Sequence, residues 1–484
     1  MLLISIDTLR PDHLSCYGYP RKTSPNIDQL AAEGALFQNH IASSSWTLPS
    51  HAAIFTSLPD SLHGCTDSDK TLAPSATTLA ERFQTAGYAT AGFVAAPYLH
   101  PAFGFSQGFE RYVDCSSYAG RIANKSPSEF GMDKEVMLES HRDVSNDRVY
   151  GAVKEWMDDR PDKPFFLFVH LFDVHFDFIP PPPYDRQFDP DYQGWVTGRD
   201  FFFDDRIGPE MNGRDFQHLI ALYDGEIAWT DSVVGRLREE LARGQILDST
   251  VIAVTSDHGT EFFEHGQKGH RKTLYDEVIK TPLVVRYPAK LRGGRRIVDQ
   301  SRGIDVGPTL LDLAGVPLPN DVIGQTLVPS IENPGSPNVG RAVSELFSVG
   351  INARTVRTLK WKLVDQVGRE DHWYYDLQKD PIEQYPLVDF EAELGKKATL
   401  GYEAEIEGMN AFAARHEVPA ATGVPVSNPP AEVQSRLKEL GYTGDEAPRS
   451  GGGAAGQTAP GGQAAPGGAP PAPTNEPVKD PKKD

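Results

Sequence analysis

The chain has 484 residues, a formal net charge of −20 and three cysteines, which is length enough for one large α/β domain plus a smaller one. The acidic balance excludes nucleic acid as the main partner, because phosphate backbones would be repelled over most of the surface, and an anion-binding site has to be locally cationic. No stretch is long and apolar enough to span a bilayer, and Cys16, Cys65 and Cys115 show neither metal-ligand spacing nor an even disulfide set, so they are expected as reduced, buried thiols.

Apolar runs of strand length alternate with helical patterns, the rhythm of a mainly parallel sheet flanked by helices on both faces. Leu2-Leu3-Ile4-Ser5-Ile6 is predicted as a buried central strand ending at Asp7. No basic and apolar leader precedes it, so the chain as written is expected in the cytoplasm, or exported if an upstream leader is missing. Ser24-Pro25-Asn26 caps a helix that Gly34 stops. Further helices are expected at about 49–57, after Thr47, and at 77–86, and residues 91–95 return as a strand. Phe165-Phe166-Leu167-Phe168-Val169 is the next buried strand and delivers His170, Asp173 and His175 at its carboxyl end. The prolines at 180–183 forbid regular structure, and the Phe- and Tyr-rich insertion at 180–209 is expected to wall the pocket.

A long helix follows at about 209–243, then the strand Val251-Ile252-Ala253-Val254 leading into Ser256-Asp257-His258-Gly259, and a strand at Pro282-Leu283-Val284-Val285. Residues 1–335 are expected as the catalytic α/β domain. Residues 336–445 carry shorter alternating segments (342–347, 355–364, 373–377) and are expected as a small antiparallel sheet with a helix or two. Residues 446–484 are Gly, Pro and Ala with almost no apolar side chains, the composition of a disordered tail.

In open α/β sheets ligands bind beyond the carboxyl ends of strands. Asp7, Thr47, Asp257 and His258 all fall at such junctions and can be assembled around one divalent cation, which their carboxylates require. Oxygen ligands with one imidazole favour zinc or manganese and tolerate magnesium, whereas an all-oxygen cage points towards calcium. His170, Asp173, His175 and His270 could supply a second metal, which spacing does not decide.

The run Ser45-Trp46-Thr47-Leu48-Pro49-Ser50-His51 resembles the active-site signature of the sulfatase family, within the alkaline phosphatase superfamily. Ile6-Asp7-Thr8-Leu9-Arg10, Thr255-Ser256-Asp257-His258-Gly259, Asp305-Val306-Gly307-Pro308-Thr309 and Trp373-Tyr374-Tyr375-Asp376-Leu377 extend the likeness to about residue 442. The resemblance implies a hydrolase of sulfuric or phosphoric esters whose partner is a small anionic ester. The family's Cys or Ser, which becomes formylglycine, is Thr47 here. Oxidising threonine would give a ketone, so no formylglycine is expected and Thr47 is expected to attack directly, with phosphoesters or phosphodiesters favoured over sulfate esters.

Formylglycine sulfatases pair aspartates after the first strand and use a late Asp-Asn. Asp7-Thr8 and Asp257-His258 are closer to threonine-dependent relatives that transfer phospho-groups, so a phospho-group transferase, and an inactive metal-binding relative, stand as alternatives. By position in the family, His175 is a substrate-contacting histidine, His270 stands where sulfatases place a lysine, and His51 takes the signature arginine's place. His170, His265, Lys268 and Arg10 are weaker candidates. The family's Gly-Lys-Trp-His type segment is missing, and residues 91–99 there are apolar. Oligomeric state is not legible.

Overall fold

In the computed structural model, which describes residues 1–117, 144–333, 335, 340–348 and 350–416 with 424–425, 431 and 435 beyond them, the run Leu2–Ile6 forms strand β1 and is buried throughout. The expected tail at 446–484 lies outside the described residues. Every β1 side chain is shielded on both faces, the condition that makes parallel strands read as continuous apolar runs. Its neighbours are parallel: β5 (Phe165–Leu171) on one side and β6 (Ile252–Thr255) on the other.

Between these in sequence lie α1 (Pro25–Glu33), β2 (Ala35–Ile41), α2 (Thr47–Thr56), α3 (Leu79–Thr85), β3 (Ala89–Val94), β4 (Arg111–Asp114), α4 (Asn146–Asp159) and the long α5 (Gly213–Arg243). After β6 come β7 (Lys280–Arg286), β8 (Arg295–Arg302) and α6 (Val306–Ala314). The eight-stranded order is β8-β2-β7-β6-β1-β5-β3-β4, with β7 antiparallel to both of its neighbours. The expected mainly parallel, helix-flanked sheet is therefore present. Capping explains the helix starts: Thr78 and Glu81 form a reciprocal capping box on α3, and the Asn212 side chain accepts from the first-turn amides of α5. No described helix is long and apolar enough to cross a membrane, and all three cysteines are free and buried.

The later part forms a second sheet, β9 (Ala342–Ser348), β10 (Ile351–Arg357), β11 (Trp361–Gln366) and β12 (His372–Asp376), antiparallel and in sequence order. Residues 355–364, expected as one segment, are split by a turn in which the Thr358 hydroxyl accepts from Lys360 and Trp361 amides. Helix α7 (Glu393–Arg415) lies on this sheet, and Gly401 lets it approach Trp361, whose ring a Cβ there would meet at 2.6 Å.

Asp276, just before β7, ties the two sheets together. Its carboxylate meets Arg357 of β10 at 2.8 Å and Lys362 of β11 at 3.3 Å, and Lys362 also reaches Glu383 at 2.7 Å. Burial opposes ionisation of Asp276, but Arg357 and Lys362 outweigh it and hold the carboxyl well below the usual carboxylate range. Its contribution is full above about pH 4 and is lost as the pH falls below that. Asp276→Asn leaves Arg357 and Lys362 undercompensated in the interior, and is expected to lower stability by about 3 kcal/mol. Urea unfolding of the two proteins at neutral pH measures the difference.

Candidate active site

Asp7 follows β1, Asp257 and His258 follow β6, and Thr47 is the first residue of α2, so the parallel strands deliver these groups to one edge of the sheet. Thr47 Oγ1 lies 3.4 Å from Asp7 Oδ2 and 3.3 Å from His258 Nε2. His258 Nε2 is 3.6 Å from Asp7 Oδ1 and 3.4 Å from Asp257 Oδ2. Asp7, Asp257 and His258 are fully buried and Thr47 is 2% exposed.

These separations are long for hydrogen bonds. All but the 3.6 Å contact match ligands that share a divalent ion, since donors about 2.1 Å from a common centre at tetrahedral to octahedral angles stand about 3.0–3.4 Å apart. Asp7 Oδ1 and Asp257 Oδ2 have no hydrogen-bond partner among the described residues, an arrangement too costly for buried carboxylates without a cation. His258 Nδ1 sits 2.9 Å from the Gly259 carbonyl, which fixes its proton there and turns the Nε2 lone pair into the cluster. The His258 amide donates to Asp257 Oδ1 at 3.0 Å and leaves Oδ2 for the cluster. The residues present therefore fit a divalent metal. Burial pushes the Asp7 carboxyl up to about 6, with His258 and the Thr47 hydroxyl acting in the opposite direction.

Thr47 is held by its helix. Trp46 is extended and α2 starts at Thr47, two residues before the sequence expectation, because Pro49 sits in the first turn, where no intrahelical N–H is needed. One turn on, His51 Nδ1 donates to the Thr47 carbonyl at 2.9 Å and Nε2 pairs with Ser5 Oγ at 3.0 Å. Both ring nitrogens are thus committed within the protein, and His51 is fully buried. His51, expected to contact substrate, is placed by this geometry beneath helix α2, bonded to Thr47 and Ser5.

His175 and His270 stand together, ring centres 5.0 Å apart, and His270 lies 4.4 Å from His258. His175 Nδ1 donates to the Phe176 carbonyl at 2.8 Å. Burial drives the His270 pKa well down, reinforced by His258 and His175. Phe172 stacks on His175 at 4.6 Å, and Phe176 lies beside His270 at 5.4 Å and is stacked by Phe202 at 5.7 Å. Phe202 comes from the 180–209 insertion, so that segment reaches the aromatic wall next to the imidazoles.

The loop carrying His270 is fastened by Arg271, which sequence reasoning passed over. Its guanidinium lies 3.9 Å over the Trp46 ring and meets Asp67 at 2.7 Å, and its amide donates to the Ser45 carbonyl at 3.1 Å. A basic residue beside a candidate histidine was the available signal. Asp173 is no ligand of a second metal: it accepts from the Ser145 amide at 2.8 Å, from Asn146 and from Trp229 Nε1 at 2.8 Å, capping α4. His265 is committed to Glu277 and the Glu383 carbonyl, Lys268 to the Asp204 and Ile207 carbonyls, and Arg10 to Asp12 and Glu264.

The family model described as Sulfatase matches residues 1–316, and one described as N-sulphoglucosamine sulphohydrolase, C-terminal, matches 264–400. The chain belongs to the sulfatase family, and is a metal-dependent hydrolase of sulfuric or phosphoric esters. An N-acetylglucosamine-6-O-sulfatase of Bacteroides thetaiotaomicron is 26% identical over 79% of this chain and 81% of its own length. An arylsulfatase of Clostridium perfringens is 25% identical over 81% of this chain and 90% of its own. Among solved structures, a complex with the substrate D-glucosamine-2-N,6-O-disulfate has a TM-score of 0.71 at 21% identity, covering 88% of this chain and 99% of that one. The phosphonate monoester hydrolase of Agrobacterium radiobacter has a TM-score of 0.67 at 24% identity, covering 85% and 95%. These structures share the fold.

A raised Asp7 pKa has a sign that can be tested. The stability it contributes is present below the unfolded value near 4 and is lost as the pH rises through about 6, a swing of roughly 3 kcal/mol for metal-free protein. Metal-free Asp7→Asn is expected to be the more stable protein at pH 8 and to lose that advantage by pH 4. Added zinc or manganese should raise the melting temperature of the wild type and not of the variant. Melting curves across pH, with and without metal, report both effects.

Proposed function

We propose that this chain hydrolyses phosphoric esters, monoester or diester, in preference to sulfate esters, with Thr47 as the nucleophile. The observation that carries the reading is the position of Thr47 Oγ1, within 3.4 Å of both Asp7 and His258 at the start of a buried helix. Asp7, Asp257, His258 and Thr47 would hold one divalent metal, zinc or manganese before magnesium or calcium, because one imidazole joins the oxygens. When bound, that ion supplies Lewis-acid stabilisation of the deprotonated Thr47 oxygen and of the ester oxygens.

Thr47 Oγ attacks the central atom, and the ester bridge opposite it breaks. The proton leaving Thr47 Oγ is passed by the neutral His175 and His270 pair to the departing alcohol oxygen, and the water that cleaves the covalent intermediate returns a proton to Thr47 Oγ by the same route. Amide groups at the start of α2 favour the transferred anion. Threonine has no carbonyl to re-form, so its ester has to be cleaved by water at the central atom, which suits phosphorus.

Thr47→Ala is expected to lower turnover of aryl phosphates and bis-aryl phosphodiesters by about 10⁴-fold with the fold intact, while Thr47→Ser retains activity. Chelation should abolish the rate, and zinc or manganese should restore it. Accurate-mass analysis of the Thr47 peptide from quenched wild-type reactions is expected to find a phosphoryl adduct. Hydrolysis by Thr47→Ala at the wild-type rate would remove Thr47 from the chemistry.

A further inference from the structure

We propose that His170 is a further ligand of the same cation, giving a centre of two imidazoles and two carboxylates beside Thr47. This rests on the metal centre proposed above. His170 lies on β5 opposite Ser5 of β1, one strand from Asp7, and is fully buried. Its Nε2 is 3.4 Å from Asp7 Oδ2, the same separation that relates the other members of the cluster. A ligand atom of His170 also lies within 4.8 Å of one on Asp257, in a group whose third member is His51 and which shares Asp257 with the Asp7, Asp257 and His258 group.

Neither nitrogen of His170 has a hydrogen-bond partner among the described residues. Other core histidines differ: His40 Nδ1 meets Ser301 Oγ at 2.9 Å, and His63 Nδ1 accepts from the Cys65 amide at 3.1 Å. An imidazole with no partner inside an otherwise apolar strand is costly, and a bound ion removes part of that cost. Thr8 offers no competing ligand, since its hydroxyl donates to the Val174 carbonyl at 2.9 Å. His51 is also near His170 and Asp257, but its nitrogens are committed to Thr47 and Ser5, so a separate site on that side lacks a second available imidazole. Two imidazoles with two carboxylates select zinc or manganese over magnesium and calcium more strongly than one imidazole does.

The test uses the full chain loaded with zinc, with His170→Phe to keep ring volume, His170→Ala as a second variant and Asp257→Asn as a control for the centre itself. X-ray absorption of the wild type is expected to show one zinc per chain with two imidazoles in its shell. His170→Phe and His170→Ala should show one imidazole and bind zinc at least about tenfold more weakly, while melting of the metal-free variants reports their fold. A single imidazole in the wild type overturns the assignment even if neither variant folds. Unchanged affinity and imidazole count in a folded variant also overturn it, as do two zinc ions in the wild type falling to one on substitution. Absence of zinc binding by the wild type would instead overturn the metal centre proposed above, and this ligand with it.

Discussion

Asp7 and Asp257 stand at the ends of adjacent parallel strands, fully buried, and no lysine or arginine pairs with either among the described residues. Their charged-group contacts are all imidazoles: His258 for both, His170 for Asp7 and His51 for Asp257. The nearby cations are committed elsewhere, Arg10 to Asp12 and Glu264 and Arg271 to Asp67. Two buried carboxylates without a fixed positive partner destabilise a fold that has nothing to place between them. The metal-shaped spacing around Thr47 and the Nδ1 bond that aims His258 inward are intelligible as answers to that constraint.

Topology brings the answers to one place. The parallel order β5-β1-β6 puts three carboxyl ends on one edge, and the antiparallel β7 obliges the preceding loop to cross that edge, carrying His270. The loop is fastened at both ends. Arg271 fixes one end to Trp46, beside Thr47, and Asp276 fixes the other to Arg357 and Lys362 of the smaller sheet. The second sheet thus buttresses the loop that faces helix α2, although none of its described residues joins the cluster.

What was legible in the sequence follows from this geometry. Asp7, Asp257 and His258 could be read because fully buried parallel strands are unbroken apolar runs, so a carboxylate directly after one is conspicuous. Strands β2 and β8 escaped notice. Ala35–Ile41 mixes Gln, Asn and His into its length, and the sheet-edge strand Arg295–Arg302 exposes charged residues, so neither has the apolar run or the clean alternation that marks a strand. His170 ranked low because a lone histidine in Phe165–Leu171 reads as core, and its lack of partners is a three-dimensional fact. Asp173 ranked with possible ligands because its partners Ser145 and Trp229 come from distant segments.

The net charge of −20 calls for a locally cationic site, and several of the described cations near the cluster are committed elsewhere. Lys268 spends its ammonium on the Asp204 and Ile207 carbonyls, Arg271 is paired with Asp67, and burial drives His270 towards its neutral form. Without an ion, two ionised carboxylates would repel an anionic ester; with a divalent cation between them, their charge is balanced and helix α2 points its positive end at the ester. Metal and substrate would therefore be coupled ligands: the ion offsets the repulsion that opposes the ester, and by linkage each must raise the other's affinity by the same factor. A histidine in place of a carboxylate lowers the repulsion itself, because a neutral ligand holds an ion without adding negative charge for the ester to overcome. His258, aimed by Gly259, is the neutral group so placed on the Thr47 side of the cluster.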